Sequence, residues 1–218
     1  MASQQNNRRL LVGALLSAFG LFASIGAVYG ISGLSGNSPA AGECALATAN
    51  AETLAPLAIG DVAAFRVEKK PVIAPDFTFR DGEGNERRVA DFKGRTILLN
   101  LWAIWCAPCR HEMPALDALQ ANLGSKAFEV VAVSIDLGSP EKPRQFLSEI
   151  GAKSLAFYHD PTGKAFFTLR AAGRAIGMPA TLIINAEGCV AGHMLGAANW
   201  SSNDAVKLIL AVQKAQEK

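Results

Sequence analysis

The stretch "TILLNLWAIWCAPCRHEMPALDALQANLG", residues 96–124, constrains the fold more than any other part of the chain. It opens with a near-continuous apolar run, "TILLNLW", of the length and composition of a β-strand covered on both faces. Cys106 and Cys109 follow, two residues apart, and then Met113, Leu116, Leu119 and Leu123 recur at threes and fours until Gly124. That spacing predicts a helix with one apolar face and a glycine stop. A buried strand feeding a cysteine pair at a helix start belongs in an α/β sheet, where reactive groups gather at strand ends beside helix N-termini.

The rest of the chain alternates in the same way. "FEVVAVSID" (128–136) reads as a second buried strand, "SPEKPRQFLSEIG" as a helix, "LAFYHD" as a short strand and "KAFFTLR" as a short helix. "ATLIINAEGCVAGHML" (180–195) reads as an antiparallel strand pair around a turn, and "SSNDAVKLILAVQKAQ" as a closing helix with polar N-caps. Before the first strand, Phe77 and Phe79 alternate ahead of a "DGEGN" turn, as in a short hairpin. Strands alternating with helices predict a mainly parallel central sheet flanked by helices.

The N-terminus is of a different kind. Arg8 and Arg9 precede Leu10–Ile31, an apolar run without a charge, and no Lys or Arg follows until Arg66. Such a run is long enough to cross a bilayer core of about 30 Å. The positive-inside rule then places residues 1–9 in the cytoplasm, 10–31 as a single-pass transmembrane anchor and the remainder across the membrane. A cleaved signal peptide is the competing reading, but its apolar core is ordinarily about 7–15 residues, so length favours the anchor. Residues 32–70, rich in small residues and Pro, read as a periplasmic stalk with a short ordered piece at "LAIGDVAAFRVE", and 71–218 as the folded domain. With 21 basic and 19 acidic residues, the chain has no excess of positive charge to suit it to nucleic acid.

Several chemistries are open to a Cys-x-x-Cys pair. Haem attachment needs His directly after the second Cys, and Arg110 stands there instead. Zinc needs four ligands, and no second close pair exists, so no metal is assigned. A structural disulfide closing so short a loop gains little. A redox dithiol explains the surroundings better. Cys106 at the helix N-terminus meets unpaired N–H groups and the positive dipole end, which stabilise a thiolate. Cys109, one turn on, can resolve a mixed disulfide, and Pro108 suits the first turn. Trp105 is expected to wall the site. Far along the chain, Met178-Pro179 precedes a strand, and a cis proline there would leave the Met178 backbone open to pair with a bound peptide. Cys44 and Cys189 are expected to form a second, structural disulfide, free thiols being the alternative.

The segments "APDFTF…VADFKGRTILLNLWAIWCAPCRHEMPAL" and "GMPATLIINAEG" resemble the TlpA-like, membrane-anchored branch of the thioredoxin fold, with the ResA and cytochrome-c-maturation thioredoxins as relatives. The resemblance covers roughly residues 74–215. It implies a thioredoxin-like α/β fold with a mixed central sheet, Cys106 as nucleophile, Cys109 as resolving thiol and Pro179 as the facing cis proline. Glu112 and Pro114 match the family's "EMP". It implies no cofactor. Its expected partners are protein disulfides: a copper chaperone, the copper-binding oxidase subunit or apo-cytochrome c. A membrane electron donor would restore the dithiol. Two positions depart from pattern: Ile104 replaces a common Thr or Ser, and Asn100 stands where thioredoxin has a buried aspartate. An Asn accepts no proton, which leaves water or Glu112 to serve Cys109. Two other functions remain open. One is a copper(I) carrier using the cysteines and His193. The other is a peroxiredoxin-like peroxidase, whose chemistry needs a peroxidatic Cys with Thr and Arg neighbours, whereas "WCAPC" supplies a nearby resolving thiol.

Overall fold

The computed structural model describes Cys44, residues 51–70 and residues 72–215. The expected cytoplasmic segment and transmembrane anchor lie outside these residues; among those described, no helix is long and apolar enough to cross a membrane.

The run "TILLNLW" forms strand β4 (Thr96–Trp102), every residue of it buried. Its edges are paired with β5 (Phe128–Ser134) and β7 (Ala180–Ile184), and its side chains lie in one core with those of the helices. The remaining strands are β1 (Arg66–Val67), β2 (Thr78–Arg80), β3 (Glu86–Arg88), β6 (Tyr158–His159) and β8 (Val190–Leu195), in the order β1-β8-β7-β4-β5-β6-β2-β3.

The expectation of a mainly parallel sheet is corrected here. Only β4–β5 and β5–β6 run parallel; β7, β8, β1, β2 and β3 pair antiparallel with their neighbours. The alternation of strands and helices misleads because the segment between β6 and β7 brings β7 to the opposite side of β4 running the other way.

The helices are α1 (Ala51–Leu54), α2 (Ala107–Leu123), α3 (Glu141–Glu149), α4 (Lys164–Ala171) and α5 (Asn203–Lys214). Helix α2 turns Cys109, Met113, Leu116 and Leu119 inward, as its spacing predicts. Ser202 caps α5 by accepting the Ala205 N–H at 3.3 Å. The hairpin β2–β3 closes over Asp81, whose carboxylate accepts the N–H groups of Glu83 and Asn85. Phe79 from this hairpin meets Tyr158 edge-to-face at 5.3 Å, which fastens the sheet's outer strands to its middle.

Residues 51–70, expected as stalk, instead pack on the domain. Leu54, Val62 and Phe65 are buried in the same core as β4. Strand β1 pairs with β8 through Arg66–His193 and Val67–Gly192. Gly192 is required for this approach: a Cβ there would lie 2.4 Å from the Phe65 ring and 2.6 Å from the Arg66 carbonyl oxygen. Cys44 is joined to Cys189 by a disulfide spanning 145 residues, with both sulfurs' residues buried. The ordered piece expected at "LAIGDVAAFRVE" is the part that carries Val62, Phe65 and β1; its small neighbours show no period that would extend it.

Candidate active site

Strand β4 ends at Trp102, a fully buried core residue, and the chain turns through Ala103–Trp105 to Cys106. Asp136, just beyond β5, holds this turn. Its carboxylate accepts the Ile104 N–H at 3.0 Å and the Ser134 hydroxyl at 2.9 Å. Sequence reasoning did not find Asp136; an acid directly after a buried strand was the available signal.

Cys106 is the N-cap of α2, and its sulfur accepts the Cys109 N–H at 3.3 Å. Pro108 occupies the first turn, where a missing N–H costs nothing. The two cysteines are joined as a disulfide. Cys106 is 6% exposed and Cys109 fully buried, so an incoming sulfur reaches Cys106 first. The helix N-terminus surrounds that sulfur with positive potential.

The Met178-Pro179 bond is cis. Ala180 pairs with Leu101, so the register carries the proline loop to the level of the β4 end from which the cysteine turn departs. Neither the N–H nor the C=O of Met178 has a hydrogen-bond partner among the described residues. Trp105, 66% exposed, and Met178 share the wall of a groove of about 240 Å³ with Ile135, Leu137, Phe166 and Phe167. The structure thus brings together Trp105, Met178 and the cysteine turn. The groove's other side chains carry no local motif.

Behind the disulfide lies a buried polar cluster. Glu112 stands one turn after Cys109 on the same side of α2 and is 2% exposed. One carboxylate oxygen accepts Asn100 Nδ2 at 2.7 Å; the other accepts the Ala198 N–H and Trp200 Nε1, each at 3.1 Å. Asn100 Nδ2 also donates to Thr181 Oγ1 at 2.9 Å, while Asn100 Oδ1 is buried without a partner. Burial pushes the Glu112 carboxyl up to about 7, against the pull of the donors on Asn100, Ala198 and Trp200. Glu112 also borders a cleft of about 550 Å³ that it shares with Asp61, His111 and Asn199.

His193 stands apart from this assembly. It is opposite Leu182, and Leu182 is opposite Leu99, so it lies well short of the β4 end. The in-register trio Leu99, Leu182 and His193 faces away from Asn100, Thr181 and α2. The ligand set of the copper-carrier reading is therefore not assembled. Among the described residues no group of three or more His, Cys, Asp or Glu is placed to hold a metal ion.

The family profile described as AhpC/TSA matches residues 72–193, more than half of the chain. The chain belongs to the AhpC/TSA family. Within it, the resemblance is to the thiol-disulfide oxidoreductase branch of TlpA and ResA type. The chain is 32% identical over 120 residues to the thioredoxin-like protein YneN of Bacillus subtilis, covering 54% of this chain and 66% of that protein. It is 40% identical over 68 residues to the thiol-disulfide oxidoreductase ResA of Geobacillus thermodenitrificans, covering 31% and 38%. The matched stretches thus span less than two thirds of either curated relative. Among solved structures, a protein described as a thiol:disulfide interchange protein DsbE of Chlorobium tepidum is 30% identical, with a TM-score of 0.56 over 65% of this chain and 96% of that one. The fold of this AhpC/TSA member is thioredoxin-like, with a mixed central sheet and flanking helices.

Proposed function

We propose that this protein is a membrane-anchored, periplasmic thiol:disulfide oxidoreductase that works as a reductant. The observation that carries the reading is the cysteine pair at the start of α2, on a turn whose Trp105 shares a groove with Met178 of the cis-proline loop, with a buried acid one turn behind Cys109. The Cys106 thiolate attacks one sulfur of a substrate disulfide, forms a mixed disulfide and releases the other substrate sulfur as a thiolate. Glu112 takes the proton of Cys109, whose thiolate attacks Cys106 and releases the second substrate sulfur. Two electrons pass to the substrate and the Cys106–Cys109 disulfide results, the state seen in the structure. A membrane electron donor then restores the dithiol, since an oxidising compartment will not.

The uncharged run at Leu10–Ile31 supports the anchor and the periplasmic placement of the domain. The family resemblance supports a copper chaperone, the oxidase copper subunit or apo-cytochrome c as substrate, and the "GMPAT" loop favours oxidase assembly among these. The test is a Cys109→Ser variant expressed in its native host. Mixed disulfides through Cys106 should accumulate and disappear in the Cys106→Ser, Cys109→Ser double variant. Acid-quenched wild-type cells should hold the pair mostly as dithiol; a mostly oxidised pair overturns the reductant direction. The family match keeps a peroxidase reading in view. It requires peroxide turnover by the purified protein with only a small thiol as donor, and negligible turnover removes it.

A further inference from the structure

The N-terminal strand β1 builds a second pocket on the other side of the cis-proline loop. By strand order, the groove of Trp105 and Leu137 lies towards β4 and β5, whereas β8 and β1 lie on the opposite side of β7. There Arg66, Gly173, Ile176, His193 and Leu195 line a pocket of about 220 Å³ that contains no acidic side chain. Leu195 pairs with Ala180, next to cis Pro179, and Ile176, 80% exposed, stands two residues before Met178. A chain segment paired with the open backbone of Met178 therefore passes the pocket's rim.

The pocket's charge is one-sided. Glu68, directly after β1, is bound to Arg174 of the loop that leads to Met178. That ion pair ties the loop to β1 and uses up the nearby carboxylate. Arg66 is exposed and has no ion-pair partner among the described residues, and Lys69 and Lys70 continue the basic run without one. His193 Nδ1 is buried with no hydrogen-bond partner. Burial first holds this imidazole below its ordinary pKa, with Arg174, then Glu68 in opposition, then Arg66 acting on it as smaller influences.

We propose that this pocket receives an acidic side chain of the substrate protein, carried by the segment that pairs with Met178, so that the protein selects disulfides flanked by Asp or Glu. The proposal rests on the oxidoreductase reading and names its substrate class. A carboxylate there meets Arg66 at a wet rim, where such contacts act mainly on encounter and on discrimination between partners.

The experiment uses the full chain, reduced, and three synthetic disulfide peptides identical except for Glu, Gln or Lys beside the target cysteine. An uncharged small disulfide, hydroxyethyl disulfide, serves as control. The Glu peptide should be reduced about tenfold faster than the Lys peptide at low salt, with the preference shrinking as salt rises. Arg66→Glu should abolish or invert the preference and leave the control rate unchanged, which also certifies the variant's fold. Equal rates for the Glu and Lys peptides in the wild type, or an Arg66→Glu loss shared by all three, overturns the pocket. Failure to reduce even the control overturns the oxidoreductase reading itself, and the pocket with it.

Discussion

Asn100 donates to Glu112 at 2.7 Å across the interface between the central strand and α2, and its own amide oxygen is left without a partner. The strand side chain is thus committed as a donor, which fits a carboxylate acceptor. An Asp in its place would set two buried acids against each other, with one forced to hold a proton. With Asn100 there, Glu112 is the titrating group of the cluster, and its pKa near 7 suits proton exchange at neutral pH.

The resolving step should accordingly carry a Glu112-dependent pH profile. In Glu112→Gln, release of substrate from a preformed Cys106 mixed disulfide should slow by about tenfold to a hundredfold at neutral pH. The wild-type inflection near pH 7 should vanish. Stopped-flow release of a fluorescent thiol between pH 5 and pH 9 measures both; an unchanged profile excludes Glu112 as proton acceptor.

The same group makes a stability prediction. The folded carboxyl ionises near 7 and the ordinary value is 4.5, so between these the unfolded chain releases a proton that the folded one keeps. Stability from this group is therefore full below about pH 4.5, falls as pH rises and levels off above 7, a loss on the order of 3 kcal/mol. Urea titrations at pH 4.5, 6 and 8 should show a steeper decline for the wild type than for Glu112→Gln. The Gln variant should remain folded, because a flip of the Asn100 amide turns its free oxygen towards the new amide donor.

Breaking the Cys44–Cys189 bond should destabilise the domain without touching exchange chemistry. The loop it closes, 145 residues, corresponds to up to about 4–5 kcal/mol in the loop-entropy model. Cys44→Ser, Cys189→Ser should lower the denaturation midpoint and leave the rate with small disulfides near wild type. A change in that rate with no loss of stability would contradict the structural role.

Gly192→Ala forces the Phe65 ring and the Arg66 carbonyl away from β8. A loss of about 1–3 kcal/mol is expected, together with faster protease cleavage within residues 51–68. Unchanged cleavage would mean that β1 does not depend on this contact.

The reactive turn and the strands around it were legible because their signals are local: an apolar run, a cysteine spacing and a helical period adjoin one another in residues 96–124. The direction of β7 was not, since nothing in "ATLIINAEG" records which way its connection crosses the sheet. The surroundings of Glu112 were hidden for a related reason. Its donors include a backbone N–H and an indole that lie 86 and 88 residues away, and neither has a motif. The dock of residues 51–70 depends on a missing side chain at Gly192, which no hydrophobic pattern can register.

The disulfide between Cys44 and Cys189 also fixes a polarity. Cys189 directly precedes β8 at the end of the sheet where Ile184 meets Ile97, whereas Cys106 follows β4 beyond the other end. A seven-residue strand, about 23 Å long, separates the two poles. A load applied through Cys44 therefore enters the domain at the pole remote from the reactive sulfurs, as a bracket bolts to the back of a lamp.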